Sequence, residues 1–220
     1  MSQTAMVFEK IMQLVFPPHC LFCDAIIPPG LDECGSCNDT AALKRNGKNR
    51  STHPDKNIGQ MDGLVSSFVY SGQIAEAVAR YKFFGKRDLY RDMAKYMSED
   101  YIEIFGADSV DAVVHVPGYK EKAEHTRMLA SGVARLIGRP FEPGMLSKTR
   151  RTEKQHSLGA KERTTNVSGA FEAKPGKTAG KSILICDDVA TSGNTLNECA
   201  AALKAAGARR VYGLSFSAPY

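Results

Sequence analysis

Residues 182–196 read SILICDDVATSGNTL, and the changes of character inside this stretch decide the fold. Ser182 to Cys186 are apolar and β-prone, which predicts a strand buried on both faces. Asp187 and Asp188 stand at its carboxyl end. Val189 to Thr195 then turn into a helix that starts near Gly193. In open α/β sheets, ligands bind beyond the carboxyl ends of strands. A helix start offers unpaired backbone N–H groups and a positive dipole end, both suited to a phosphate. Gly193 lets the backbone come close to an anion, while Thr191, Ser192 and Thr195 add hydroxyl donors. Two adjacent acids ahead of such a turn are more than a capped helix requires.

Working outward, the pattern predicts a helix over 193–206 closed by Gly207, then a last strand over 210–216. Upstream, residues 63–71 and 111–117 read as strands. An amphipathic helical stretch runs over 73–105 with a break near Gly85. Another helix covers 127–137 and ends at Gly138 and Pro140. Strands alternating with helices imply an α/β fold with a mainly parallel sheet flanked by helices. His115, inside the second strand, fits a sheet-packed histidine or a ligand contact equally. Residues 147–168 are rich in Lys, Arg, Thr, Gln and Asn with few apolar anchors. A long loop of that kind inside a compact domain tends to be functional.

Apolar residues make up 43% of the 220, enough for a real core, and charged residues make up 24%, which excludes wholesale disorder. The net charge of +5 suits an anionic ligand. The apolar run Ile11 to Phe16 is interrupted by Gln13 and is too short to span a membrane. It also lacks the marks of a secretory signal, so a cytoplasmic protein without a membrane span is expected. Phe8, Ile11, Met12 and Val15 are spaced for a short amphipathic helix over 1–16. Residues 44–61 (KRNGKNRSTHPDKNIGQM) are polar, with Ile58 and Met61 as the only anchors. The expected division is an N-terminal helix and cysteine module over 1–43, a linker over 44–61 and the α/β domain over 62–220.

Four of the six cysteines fall at Cys20, Cys23, Cys34 and Cys37, a CxxC–CxxC array. In a reducing cytosol such a set favours metal over disulfides. Four thiolates close a tetrahedral zinc site with no open position, so the expected Zn2+ is structural. His19 precedes the first of them, as a surface residue or a substitute ligand.

The segment 182–196 resembles the phosphoribosyl pyrophosphate (PRPP) motif of type I phosphoribosyltransferases: apolar strand, two acids, then a Thr/Ser/Gly turn. Together with the cysteine array and the polar joint, it makes nearly the whole chain similar to the ComF family, competence-associated and amidophosphoribosyltransferase-like proteins. Tyr81-Lys82-Phe83-Phe84-Gly85 resembles that family's lysine-and-phenylalanine segment. Thr152, Gln155, Leu158, Arg163, Asn166, Val167, Gly169, Ala170 and Phe171 resemble its T–Q–L–R–N-V–G-A-F loop. The resemblance implies that Asp187 and Asp188 hold the ribose hydroxyls as the catalytic pair. It implies that Ala190, Thr191, Ser192, Gly193, Asn194 and Thr195 cradle the 5-phosphate, with Mg2+ accompanying PRPP. Gly118, Lys120 and Lys122, in the turn after strand 111–117, and Arg151, Lys154, Gln155 and Arg163, in the basic loop, are the candidates for pyrophosphate and lid contacts. The chain departs from the family after Pro117, where GYKEKAEHTRM stands in place of an R-G-F-N-Q-like run. Two functions follow as expectations: phosphoribosyl transfer from PRPP to an unnamed acceptor, or a non-catalytic role in DNA uptake or single-stranded DNA handling with the competence machinery as partner.

Overall fold

A computed structural model describes residues 17–38, 59–119, 123–150 and 168–219. The expected helix over 1–16 and most of the linker lie outside the described residues.

Strand β1 (Gly63–Val69) is followed by helix α1 (Gly72–Phe83), a 3₁₀ turn (Arg87–Leu89) and helix α2 (Tyr90–Phe105). Then come β2 (Ala112–His115), α3 (Glu124–Leu136), β3 (Leu146–Lys148), β4 (Phe171–Ala173) and a single helical turn, α4 (Pro175–Thr178). The chain closes with β5 (Ser182–Val189), α5 (Asn194–Ala205) and β6 (Arg210–Ala218). The helical stretch read over 73–105 is thus two helices, parted at Gly85 as its sequence requires. The basic segment starting at residue 147 is not all loop: its edges pair as the antiparallel β3–β4 hairpin, Lys148 opposite Phe171.

The main sheet has the order β1-β6-β5-β2, and all three pairings are parallel. All carboxyl ends therefore open on one edge. Strand β5 lies at the centre and its alternation feeds two cores. Leu184 and Cys186 pack toward α1, α2 and α3, while Ile183 and Ile185 pack toward α5 and the hairpin. The helices match: Ile74, Ala77, Val78 and Tyr81 form the buried stripe of α1, and Leu196, Cys199, Ala200 and Leu203 that of α5. Gly213 of β6 is needed for close packing, because a Cβ there would meet Leu64 and the Met61 sulfur at 2.8 Å.

The chain leaves β2 into α3 on one face and leaves the neighbouring β5 into α5 on the other. That divergence opens a crevice beyond the carboxyl ends of β2 and β5.

Residues 17–38 share the first core rather than making their own. Phe22 lies edge-on to Phe68 of β1 at 5.5 Å between ring centroids and 6.0 Å from Tyr96 of α2. Arg80 of α1 donates to the carbonyls of Leu21 and Phe22 at 2.5 and 3.0 Å. Lys95 of α2 pairs with Asp32. Among the described residues, no helix is long and apolar enough to cross a membrane.

Candidate functional site

The crevice between β2 and β5 is a cleft of about 440 Å³. Its floor is the end of β5. Strand β5 runs on to Val189, so Asp187 and Asp188 are strand residues rather than the start of a turn. Alternation then separates them: Asp188 is buried at 2% exposure, and Asp187 is half-buried. Asp187 Oδ1 accepts the backbone N–H of Asp188 at 2.9 Å.

Asp188 is held by a lysine and a histidine from other elements. Lys82 Nζ of α1 lies 2.6 Å from its Oδ1, and His125 Nε2 of α3 lies 3.2 Å from its Oδ2. Tyr81, beside Lys82, donates its hydroxyl to the His125 carbonyl at 2.5 Å and so ties α1 to α3 across the cleft. Burial works to raise the Asp188 carboxyl, but the His125 imidazole and the Lys82 ammonium outweigh it and hold it below the ordinary carboxylate range. Asp187 goes the other way: burial first, and then the negative charge of Asp188, push it up. One acid is thus fixed as an anion, while its neighbour is poised for a donor or a cation.

Above the acids the chain turns into α5. Ala190 donates to the Ser217 carbonyl at 2.9 Å, which pins the turn to β6. Gly193 caps the helix at φ 74°, a left-handed conformation that glycine adopts without cost. Asn194 N–H reaches Ser192 Oγ at 3.4 Å. Thr191 is exposed, Ser192, Asn194 and Thr195 are half-buried, and Thr191, Gly193 and Thr195 line the cleft. The segment read as a phosphate cradle is therefore brought to the same crevice as the two acids. Gly118 lines the opposite wall. Lys120, Lys122, Arg151, Lys154, Gln155 and Arg163 lie outside the described residues.

Three features of this cleft were not assigned roles from sequence: Lys82, His125 and the aromatic rim. Phe83 and Phe84 are 74% and 73% exposed, and Phe83 and Tyr70 line the cleft mouth. Two adjacent exposed phenylalanines break the amphipathic period of α1, and that was the available signal. His125 carried none, because it occupies an ordinary first-turn position of α3.

At the other end of α1, the sulfur atoms of Cys20, Cys23, Cys34 and Cys37 lie within 4.8 Å of one another. Cys23 and Cys34 are 3.7 Å apart. Four sulfurs about 2.3 Å from a tetrahedral centre sit about 3.8 Å apart, so the set fits zinc. The backbone N–H of Cys37, and then the neighbouring thiols, draw the Cys34 thiol down to about 7, toward the thiolate that metal requires. His19 stands apart from the cluster and bonds the Asp24 carbonyl through Nδ1 at 2.7 Å.

The Phosphoribosyl transferase domain family matches residues 126–212, which contain β5, the turn and α5. Competence protein F of Haemophilus influenzae is 23% identical over 205 residues, 90% of this chain and 84% of that protein. The chain is thus similar to a competence protein over most of its length and contains a phosphoribosyltransferase-type domain. DNA utilization protein YhgH of Salmonella typhimurium, 26% identical over 156 residues, matches 67% of this chain and 68% of its own length. Among solved structures, the glutamine PRPP amidotransferase of B. subtilis is 23% identical with a TM-score of 0.43, covering 61% of this chain and 30% of that one. The chain thus spans about a third of that structure's length.

Proposed function

We propose that the cleft binds PRPP with Mg2+ and transfers its phosphoribosyl group to an acceptor. One observation carries the reading: the acid pair, the Gly193 turn, Lys82 and His125 meet at the carboxyl ends of β2 and β5. Asp187 and Asp188 accept hydrogen bonds from the ribose hydroxyls. Residues Ala190 to Thr195 donate to the 5-phosphate at the start of α5. Transfer breaks the bond between C1 and pyrophosphate, forms a bond from C1 to the acceptor, and releases the acceptor's proton. Positive charge on C1 grows in that step, and the nearby carboxylates stabilise it. Mg2+ supplies neutralisation of the leaving pyrophosphate. Lys82 and His125 keep Asp188 ionised and oriented.

The test is release of pyrophosphate from PRPP and magnesium over a panel of bases and amines. Turnover abolished by Asp188→Asn is expected. Turnover with no acceptor in the panel, together with unchanged PRPP binding in Asp188→Asn, would remove the reading.

The cysteine cluster is read as a structural Zn2+ site, in a module over 1–43 joined by 44–61 to the domain over 62–220. Thiols kept for metal point to a reducing compartment, the cytoplasm. Purified protein should carry about one zinc per chain, lost in Cys34→Ser.

A second reading has one observation of its own. Phe83 and Tyr70 at the cleft mouth suit stacking of bases, and a relative's name refers to DNA utilization. On this reading the fold binds single-stranded DNA for uptake without chemistry. Titration with a single strand at two salt concentrations decides it: binding that weakens steeply with salt and with Phe83→Ala supports it, and no binding at low salt ends it.

A further inference from the structure

A second cleft of about 670 Å³ lies on the far side of the wall formed by Pro117, Gly118 and Ala123. Those three residues line both clefts, but the acid pair and the Gly193 turn line only the first. The second is walled by His115 of β2, Arg127 of α3, Lys148 of β3 and Lys174 beyond β4. The basic side chains come from three separate elements and converge on one space. Among the described residues its single acid, Glu124, is already paired with Arg87 at 2.8 Å. Among the described residues, neither Arg127 nor Lys174 has a carboxylate partner.

His115 adds an independent sign. It is nine-tenths buried, yet its Nδ1 has no hydrogen-bond partner. A buried ring nitrogen left without a partner costs free energy unless something else satisfies it. Its one close neighbour ring, Phe141 at 5.8 Å, offers none. The space also opens against Ala123 and Glu124, where α3 begins with no side-chain cap. Dipole, cations and imidazole all favour one chemistry.

We infer that this cleft is a second binding site, separate from the acid-pair cleft, for a phosphate-bearing small molecule. Arg127 and Lys174 pair with the phosphate oxygens at the mouth, Lys148 closes one side, and His115 donates from the floor. The volume falls within the range of small-molecule pockets, so a phosphate ester fits as well as the bare ion. Because Pro117, Gly118 and Ala123 serve both clefts, a ligand in one bears on the other through that shared wall.

Each cleft contains one histidine, and this supplies the test. Full-length protein labelled with ¹⁵N in the imidazoles is titrated with inorganic phosphate at low ionic strength, then separately with PRPP and magnesium. His115 and His125 signals are assigned from His115→Gln and His125→Gln. Phosphate should shift His115, and an Arg127→Met, Lys174→Met double variant should weaken that response about tenfold or more while leaving the PRPP response of His125 intact. Both substituted side chains are exposed, so the fold survives. A His115 signal unmoved by phosphate, a shift confined to His125, or an equal shift in the double variant would each overturn the second site. Failure of His125 to respond to PRPP would instead strike the function proposed for the first cleft and leave this one standing.

Discussion

On the function proposed above, the cysteine segment and the β5–α5 turn each arrange polar groups around a guest, and they do so by opposite means. Residues 17–38 contribute Cys20, Leu21, Phe22, Ile27 and Cys37 to a core that belongs to β1, α1 and α2. Without that borrowed surface they have little to hold them together. The turn after β5 follows a strand whose residues Ile183 to Cys186 are fully buried, and it is pinned by Ala190 to β6. Its shape exists before any ligand arrives. The difference separates a guest that makes its site from a site that waits for its guest. In the first, the ligating groups hold the segment together; in the second, they burden the fold.

Metal removal tests the first half and carries the largest expected effect. Chelation, or Cys34→Ser, should cost several kcal/mol and lower Tm by on the order of 10 °C. Hydrogen exchange should rise over 17–38 and spread to Phe68 and Tyr96, which lose Phe22 as a partner. Protection of β5 and α5 should hardly change. Equal loss of protection in both regions would erase the contrast.

The Lys82–Asp188 pair comes next. Lys82→Met leaves a buried carboxylate with His125 alone, a loss of about 2 kcal/mol, below the usual cost of breaking a buried pair because one partner remains. The sign with pH follows from the depressed Asp188 carboxyl. Its contribution is present above the unfolded carboxylate range and fades as pH falls through the folded value. Urea unfolding of wild type and Lys82→Met should therefore converge toward acid and diverge toward neutral pH. A constant gap across that range would mean that the lysine acts through packing alone.

Asp187→Asn should move stability the other way. Burial and the charge of Asp188 raise this carboxyl, so the folded state keeps a proton that the unfolded state gives up. Stability contributed by Asp187 is thus lost as pH rises from the ordinary carboxylate range to about 8, and keeping that proton burdens the fold at neutral pH. The amide removes the burden, and a gain of roughly 1 kcal/mol at pH 7 is expected together with lost PRPP binding. Removing a ligand-binding group should unfold the cysteine module and stabilise the turn. A destabilised Asp187→Asn would break the comparison at its centre.

How much of this could be read from the chain follows the same division. Strands β1, β2, β5 and β6 and helices α1, α2 and α5 were legible because each buries an unbroken or periodic set of apolar residues. The β3–β4 hairpin was not. Each of its strands has three residues, and only Leu146, Phe171 and Ala173 are buried, inside a sequence dominated by polar side chains. That the four cysteines cluster and that the acid pair meets a glycine turn was legible from spacing, since both are local patterns. What escaped was non-local. Lys82 and His125 meet at Asp188 only because α1 and α3 flank the same sheet edge, and nothing near either residue announces the other. Phe22 against Phe68 is of the same kind: an apolar residue inside CxxC was visible, but not the surface that receives it.

The smallest effect belongs to Gly193→Ala, where two terms nearly cancel. An L-residue at φ 74° costs about 1–2 kcal/mol relative to glycine. Alanine also restricts the unfolded chain, which returns about 0.4–1 kcal/mol. The net loss should be roughly 0–1.6 kcal/mol, a small shift in Tm. Ligand affinity should fall further than stability does, because Gly193 lines the cleft and a methyl group there intrudes where the backbone must approach a phosphate. Thermal unfolding and PRPP titration of the same preparation separate the two effects. If Gly193→Ala binds as wild type does, the turn is only a helix cap and the phosphate lies elsewhere. If it binds poorly while melting almost normally, the turn is a preformed cradle, and its preformation rests on β5 and β6 rather than on the guest.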